Sequence, residues 1–110
     1  MASLSNYLRT HRKHLALSQE EVAFLLGVNG MDKAIKVSRD ENSARKPSLQ
    51  FALAYEAIYG TPVRELFAGL YEQMEQKVAE RAKLLSFRKT GKTKPKGQEI
   101  ITKLASKATV

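Results

Sequence analysis

The sequence predicts an all-α fold, because residues that start and stop helices mark several helix boundaries. Ser18 and Glu21 form a capping box: the Ser18 hydroxyl can accept a backbone N–H of the new helix, while Glu21 reaches back to the N–H of Ser18. Gly27 then ends this helix, since glycine adopts left-handed backbone angles at little cost. In the same way, Ser48 begins a second helix that Gly60 ends.

Apolar residues at helical spacing predict two further helices in the first half of the chain. One spans residues 4–15, where Ser3 or Ser5 can provide the cap. A loop over 28–32 leads to the other, which runs from about residue 32 or 33 to residue 42. The fold prediction for this half is therefore three short helices.

A fifth helix begins at Thr61-Pro62, with the threonine as cap and the proline in the first turn, where its missing N–H costs nothing. No breaker follows before Gly91, which predicts one continuous helix from 62 to about 88, about 40 Å long at 1.5 Å per residue. Residues 88–98 are rich in lysine, glycine and proline and predict a flexible linker. A last amphipathic helix is expected near the C-terminus. Its apolar residues are Ile100, Ile101, Leu104 and Ala108.

Composition restricts the class of protein. At 110 residues and 43% hydrophobic content, the chain can form one domain with a modest core and an arm or tail. It has no cysteine, which excludes disulfides, thiol catalysis and cysteine-bound zinc. It lacks the basic-then-apolar run of a signal peptide, and no apolar stretch approaches the roughly 18 residues of a membrane span. We therefore expect a soluble, cytoplasmic protein without membrane contact.

The net charge of +8 is unevenly distributed along the chain. Residues 1–47 carry eight basic and five acidic side chains. Residues 48–87 carry four basic and five acidic side chains, and residues 88–110 carry seven basic side chains and one acidic side chain. Basic ends favour a polyanionic partner, whereas the near-neutral middle suits a core or a protein–protein contact. The alternative is that the excess lysine only keeps the chain soluble.

Four linked segments of the sequence carry a resemblance to a known family. They are Leu8-x3-Arg12, Leu17-Ser18-Gln19-Glu20-Glu21-Val22-Ala23-x2-Leu26-Gly27-Val28, Val37-Ser38-Arg39-x-Glu41 and Pro47-Ser48-Leu49. Over about residues 4–70 this pattern is similar to the lambda-repressor/Cro type of helix-turn-helix proteins, the XRE-like family. The resemblance implies a five-helix DNA-binding domain over 1–70. Outside it, the residue pattern predicts an extension of the last helix over 71–88 and a basic flexible tail over 89–110.

The resemblance also implies which residues face DNA. In the family, the first helix of the pair lies across the DNA backbone and the second, the recognition helix, enters the major groove. Gln19 matches a glutamine that holds a backbone phosphate and braces the base-reading residues. Arg12 and Glu41 match a structural ion pair between the first helix and the end of the recognition helix. The remaining expected DNA contacts are Lys33, Ala34, Ile35, Lys36, Ser38, Arg39, Arg45 and Lys46.

The turn at 28–32 is longer than is usual in the family, which changes the register of the recognition helix. Within the recognition helix, we expect Arg39 to contact bases, because arginine can form two hydrogen bonds with the edge of guanine. Phosphate contact is favoured over base reading for Lys33 and Lys36. Repulsion by phosphate should turn Asp40 away from the DNA.

The far half of the fifth helix is the expected dimer contact. Proteins that read two half-sites need an element that holds two copies in register. Beyond the domain, apolar residues keep a narrow stripe, which Arg81 interrupts. The alternative is that this segment frays and a dimer forms only on DNA. The expected dimerisation residues are Leu70, Met74, Val78 and Leu85.

These observations predict a sequence-specific double-stranded DNA-binding transcription regulator, a repressor that acts as a homodimer and associates with the nucleoid. No nucleophile–base pair or glycine-rich phosphate loop is apparent, and His11 and His14 lack a third metal ligand. We therefore expect no enzyme activity, no cofactor and no metal. Two alternatives are an antitoxin-like protein that also binds a partner protein through its C-terminal helix or tail, and an RNA- or ribosome-associated basic protein.

Overall fold

The computed structural model describes residues 6–30, 32–88 and 94–108. Within these ranges the chain forms helices and no strand, so the predicted all-α class is confirmed. The helices are α1 (Leu8–His14), α2 (Gln19–Leu26), α3 (Lys33–Glu41), α4 (Leu49–Tyr59), α5 (Val63–Leu66), α6 (Ala68–Phe87) and α7 (Pro95–Ala105). The chain divides into two compact units, residues 1–70 and residues 71–110, with the boundary inside α6.

The start of α1 lies later than expected. Its cap position is Tyr7, whose side chain makes no capping hydrogen bond, and the N–H of Leu8 donates to Asn6 Oδ1 at 3.1 Å. The serines expected as caps lie within residues 1–5, outside the described residues. The N–H of Tyr7 donates to the carbonyl of Leu66 at 2.7 Å, which joins the start of α1 to the end of α5.

The helix boundaries predicted from caps are confirmed for α2 and α4. The N–H of Glu21 donates to Ser18 Oγ at 3.0 Å, and the N–H of Ser18 donates to Glu21 Oε1 at 2.8 Å. Gly27 ends α2 with a left-handed φ of 80°. Ser48 caps α4 through its side chain, and Gly60 ends it with a φ of 63°.

The prediction of one continuous fifth helix is wrong, because the helix breaks at Phe67. α5 ends at Leu66, Phe67 has φ −115° and ψ 45°, and α6 begins at the next residue. Both residues are buried in the core, Leu66 at 0% and Phe67 at 7% exposure. Consecutive residues of a straight helix point about 100° apart. The break lets both side chains enter the same core.

The start of α5 also differs from the expected cap. Pro62 is the cap residue and not the first helical residue, and its side chain makes no capping hydrogen bond. Thr61 Oγ1 donates to the carbonyl of Tyr59 at 3.2 Å. The first N–H of the helix, that of Val63, donates instead to Glu56 Oε1 at 2.9 Å. The side chain of Glu56 in α4 therefore accepts the N-terminal hydrogen bond of α5 that was expected for Thr61.

The start of α7 lies earlier than expected. Pro95 is its first residue, and the N–H of Gln98 donates to the carbonyl of Lys94 at 2.9 Å. Residues 95–98 thus belong to a helix and not to the predicted linker, because the fixed φ of proline suits a first helical turn; residues 89–93 lie outside the described residues. No helix in the described ranges is both long enough and apolar enough to cross a membrane.

The core of the first unit lies among α1 to α5. The rings of Tyr55 and Tyr59 stack with centroids 6.0 Å apart, and Phe67 meets Tyr55 edge-on at 6.4 Å. α3 packs against α2 and α1, so one side of α3 is held by the core and the other is free. The buried core residues are Leu8, Val22, Ala23, Val28, Val37, Ala52, Tyr55, Tyr59, Leu66 and Phe67.

Candidate nucleic-acid interface

α3 has one face packed on the domain and one face open to solvent. Val37 is fully buried, whereas Ile35 is 45% exposed. Lys36 and Arg39 are exposed as well. We call these three residues, which project from one side of the helix, the open face of α3. The other expected contact residues of this helix are half-buried, and they are Lys33, Ala34 and Ser38.

The cations of the open face have no partner within the part of the chain that the structure describes. There, the side chains of Lys36 and Arg39 make neither a hydrogen bond nor an ion pair. Lys46, in the loop after α3, is also exposed. Unpaired cations close together on a surface attract anions from outside the chain.

Asp40 is a fully buried carboxylate near the end of α3. Arg45 donates from Nε and Nη2 to its two oxygens at 2.8 and 3.0 Å, and the Tyr55 hydroxyl donates at 2.7 Å. The hydrogen bond with Asp40 raises the pKa of Arg45. Burial, followed by the hydrogen bond to Asp40, raises the pKa of Tyr55 above its usual range. Asp40 thus lies on the packed side of α3, away from the open face.

This geometry changes the interpretation of Arg45, which the resemblance places among the DNA contacts. Its guanidinium uses two nitrogens on Asp40 and lies over the ring of Phe51, 5.6 Å from the centroid. Its side chain is 35% exposed. Arg45 therefore holds the end of α3 on the domain, and Lys46 is the unpaired cation of this loop.

The structure brings the expected pair Arg12 and Glu41 together. Arg12 Nε donates to Glu41 Oε2 at 2.6 Å and Nη2 donates to Oε1 at 3.2 Å, while Nη1 donates to the carbonyl of Leu17 at 3.0 Å. The side chains are 12% and 2% exposed. The hydrogen bond to Glu41 raises the pKa of Arg12. Because Leu17 precedes α2, this one arginine joins α1, α2 and α3.

Gln19, at the start of α2, joins the same cluster. Its Nε2 donates to Glu41 Oε1 at 3.2 Å. One of its two amide N–H groups is used in this way, so the side chain braces the end of α3. Asp40 and Glu41 are therefore both neutralised by arginines and hydrogen-bonded from several sides.

The turn before α3 contains one exposed acidic residue, Asp32. Val28 is buried, and its N–H donates to the carbonyl of Ala23 at 3.0 Å. Gly30 has a φ of 113°, which glycine adopts far more readily than other residues. Asp32 occupies the cap position of α3, makes no capping hydrogen bond and is exposed. Met31 lies outside the described residues.

Sequence reasoning missed the Asp40–Arg45–Tyr55 cluster. One signal was present: Asp40 follows the buried Val37 by three residues, and residues so spaced share a helix face. A buried aspartate needs partners, and a nearby arginine is a natural one. Nothing in the local pattern of α4 assigns Tyr55 to the same carboxylate.

The two histidines of α1, His11 and His14, have different environments. The half-buried ring of His11 is 6.0 Å from that of Tyr59, whereas His14 is exposed. Among the described residues, no group of three or more histidine, cysteine or acidic side chains could hold a metal ion. The buried Tyr59 hydroxyl has no hydrogen-bond partner within the described ranges, and burial raises its pKa above the usual range.

The expected dimerisation residues fall into two environments. Leu70 packs against the core of the first unit. Met74, Val78 and Leu85 are 44%, 40% and 39% exposed. Arg81, which interrupts their stripe, is exposed as well. Three apolar side chains of α6 are therefore accessible to another protein surface.

The open face of α3 is a cationic surface, and the two carboxylates that follow it in sequence, Asp40 and Glu41, are bound by arginines. Such a surface can bind an anionic partner without competition from Asp40 or Glu41. It contains no arrangement of side chains that suggests covalent chemistry. No protein-family model, curated protein or solved structure matches the chain.

Proposed function

We propose that this protein is a sequence-specific double-stranded DNA-binding transcription regulator that places α3 in the major groove. The observation that carries the proposal is the distribution of charged side chains on α3: cations lie on its open face and the carboxylates of Asp40 and Glu41 lie on its packed face. Its two outward cations, Lys36 and Arg39, are unpaired within the described residues, whereas the carboxylates of Asp40 and Glu41 are buried and paired with Arg45 and Arg12. Phosphate repels exposed carboxylates, so the burial of these two favours the approach of α3 to an anionic partner. The exposed acid of this region, Asp32, lies at the start of the helix, one turn before Lys36.

The dimensions of a helix suit this role. The major groove of B-DNA is about 12 Å wide and an α-helix with its side chains is about 10–12 Å across. Ile35 and Arg39 would then face the base edges, and Lys36 and Lys46 would contact the phosphate backbone on either side. Such phosphate contacts position a protein on the duplex, and the base contacts give it specificity.

The fixed orientation of α3 favours specific binding over simple electrostatic attraction. Arg12 and Arg45 hold the end of the helix at two adjacent carboxylates. A reading helix that is already rigid loses less conformational entropy when it binds. In this proposal, α2 and α3 act as a helix-turn-helix pair of the lambda-repressor type.

The proposal includes a dimer and a mode of regulation. Two copies, joined through the exposed apolar residues of α6, would read two half-sites and repress by covering a promoter on the nucleoid. Neither catalysis nor a cofactor has a part in this mechanism. A second candidate, binding of a different partner protein through the same stripe, rests on the exposure of Met74, Val78 and Leu85.

Footprinting of the DNA around the protein's own gene tests the proposal. We expect discrete protected sites, and at least tenfold more of the Lys36→Ala, Arg39→Ala double variant should be needed to protect them. The matched control is Lys77→Ala with Lys83→Ala, which removes two exposed cations from α6. Uniform coating of DNA, with equal affinity for RNA at the same salt concentration, would instead indicate an RNA-associated protein.

A further inference from the structure

Ile35 and Arg39 lie four residues apart on the open face of α3. Ile35 is 45% exposed although it stands beside two cations. Residues four apart on a helix project from the same face, with a rise of about 6 Å between them. The two side chains therefore meet the same partner surface at neighbouring points.

The guanidinium of Arg39 is kept available by the residues that follow it. Asp40 already accepts hydrogen bonds from Arg45 and Tyr55, and Glu41 accepts from Arg12 and Gln19. The two carboxylates nearest in sequence are thus occupied on the other side of the helix. Arg39 can direct both arms of its fork to an external acceptor, and the commonest such acceptor in the major groove is the O6 and N7 edge of guanine.

The exposed isoleucine selects a different group. An apolar side chain finds one apolar partner among the base edges of the major groove, the C5 methyl group of thymine. Successive base pairs are about 3.4 Å apart, so side chains about 6 Å apart reach bases separated by no more than about two base pairs. Lys36, at the flank, carries a point charge that suits phosphate on any sequence.

The geometry points to a half-site in which Ile35 contacts a thymine methyl group and Arg39 contacts a guanine within about two base pairs of it. This inference rests on the proposed function, since it assigns the bases that the same surface would read. It names the chemical group recognised by each residue, so both can be removed from the DNA without changing the protein.

The experiment begins with selection of preferred duplexes from random double-stranded DNA. Each thymine of the preferred site is then replaced in turn by uracil, which lacks only the methyl group, and each guanine by 7-deazaguanine, which lacks the N7 acceptor. For the wild type, we expect one uracil to weaken binding about three- to fivefold. One nearby 7-deazaguanine should weaken it about five- to tenfold.

Variants then assign each loss to a residue. For Ile35→Ala, the uracil substitution should no longer weaken binding, whereas the 7-deazaguanine substitution still should. For Arg39→Ala, the 7-deazaguanine substitution should no longer weaken binding, whereas the uracil substitution still should. Lys36→Ala is the control: it should weaken binding to every duplex by one factor and keep both effects. Circular dichroism checks that all three variants are folded.

The outcomes separate the inference from the proposed function. A preferred site whose uracil and 7-deazaguanine forms bind as tightly as the parent overturns the inference alone. The inference alone is also overturned if the uracil substitution still weakens binding of Ile35→Ala, or if the 7-deazaguanine substitution still weakens binding of Arg39→Ala. If selection yields no preferred sequence, both the proposed function and the inference are overturned.

Discussion

Tyr55 donates its hydroxyl to the buried carboxylate of Asp40 at 2.7 Å, at the point where α4 meets α3. One helical turn later, Tyr59 stacks on Tyr55, yet its buried hydroxyl has no hydrogen-bond partner in the part of the chain that the structure describes. Two neighbouring tyrosines in one core thus differ in what their hydroxyl groups do. The difference can be measured, because replacement by phenylalanine removes only the oxygen.

Tyr55→Phe should lower the free energy of unfolding by about 1–3 kcal/mol, because the buried Asp40 loses a donor. Tyr59→Phe should change it by less than about 0.5 kcal/mol or raise it, since the lost hydroxyl has no partner. Urea unfolding followed by circular dichroism gives both values. Equal losses in the two variants would contradict the assigned hydrogen bond.

Alkaline pH should destabilise the protein through the same two residues. Burial is the largest cause of the raised pKa of both tyrosines, so the folded state holds these protons more tightly than the unfolded chain, where the ordinary pKa is 10.0. This contribution to stability is fully present below about pH 10 and is lost as the pH rises above it. Urea unfolding between about pH 8 and pH 11 should show the decline.

A matched pair of variants tests the origin of the alkaline decline. Tyr55→Phe should make the decline shallower, because one group with a raised pKa is gone. Tyr71→Phe should leave it unchanged, because Tyr71 is 42% exposed. A decline of the same steepness in all three proteins would assign it to other groups.

How far the sequence predicts this structure depends on how local each interaction is. Ser18 and Glu21 are three residues apart and settle the start of α2 by themselves, so that boundary was predictable. The break at Phe67 depends on a core assembled from four other helices, which no local pattern contains. Asp40 is predictable only in part. Its position three residues after Val37 predicts that it lies on the packed face of α3, but no local pattern predicts its hydrogen bond with Tyr55.

Arg12→Ala should lower the free energy of unfolding by about 3 kcal/mol, because it leaves the buried Glu41 without its charged partner. Arg9→Ala is the control, since Arg9 lies on the same helix and is exposed. Thermal or urea unfolding measures both changes. Normal stability of Arg12→Ala with an altered DNA preference would show that Arg12 acts at the interface and not in the fold.

Removal of residues 89–110 should weaken DNA binding and make it less dependent on salt. The segment contains six basic side chains and one acidic side chain. Release of counterions by these cations would contribute up to about 5 to the slope of log affinity against log salt concentration. Titrations of both proteins at several salt concentrations give the slopes. Identical slopes would mean that the segment does not touch DNA.

Met74→Glu with Val78→Glu should convert a dimer into a folded monomer with weaker operator binding, because it places two charges in the apolar stripe of α6. Gln73→Glu with Leu84→Glu is the control: it adds the same charge at exposed positions of α6 outside the stripe. Sedimentation at about tens of micromolar reports the mass. A wild type that is monomeric there would exclude this interface.

The separation of the two faces of α3 has a consequence for how this protein can change. Its helix is anchored by Val37, Asp40 and Glu41, while the side chains of Ile35 and Arg39 make no hydrogen bond or ion pair within the described residues. Substitutions at these two positions therefore carry little penalty in folding. If the proposed function holds, duplicated copies of such a gene can diverge in the DNA sites they recognise while keeping the same scaffold.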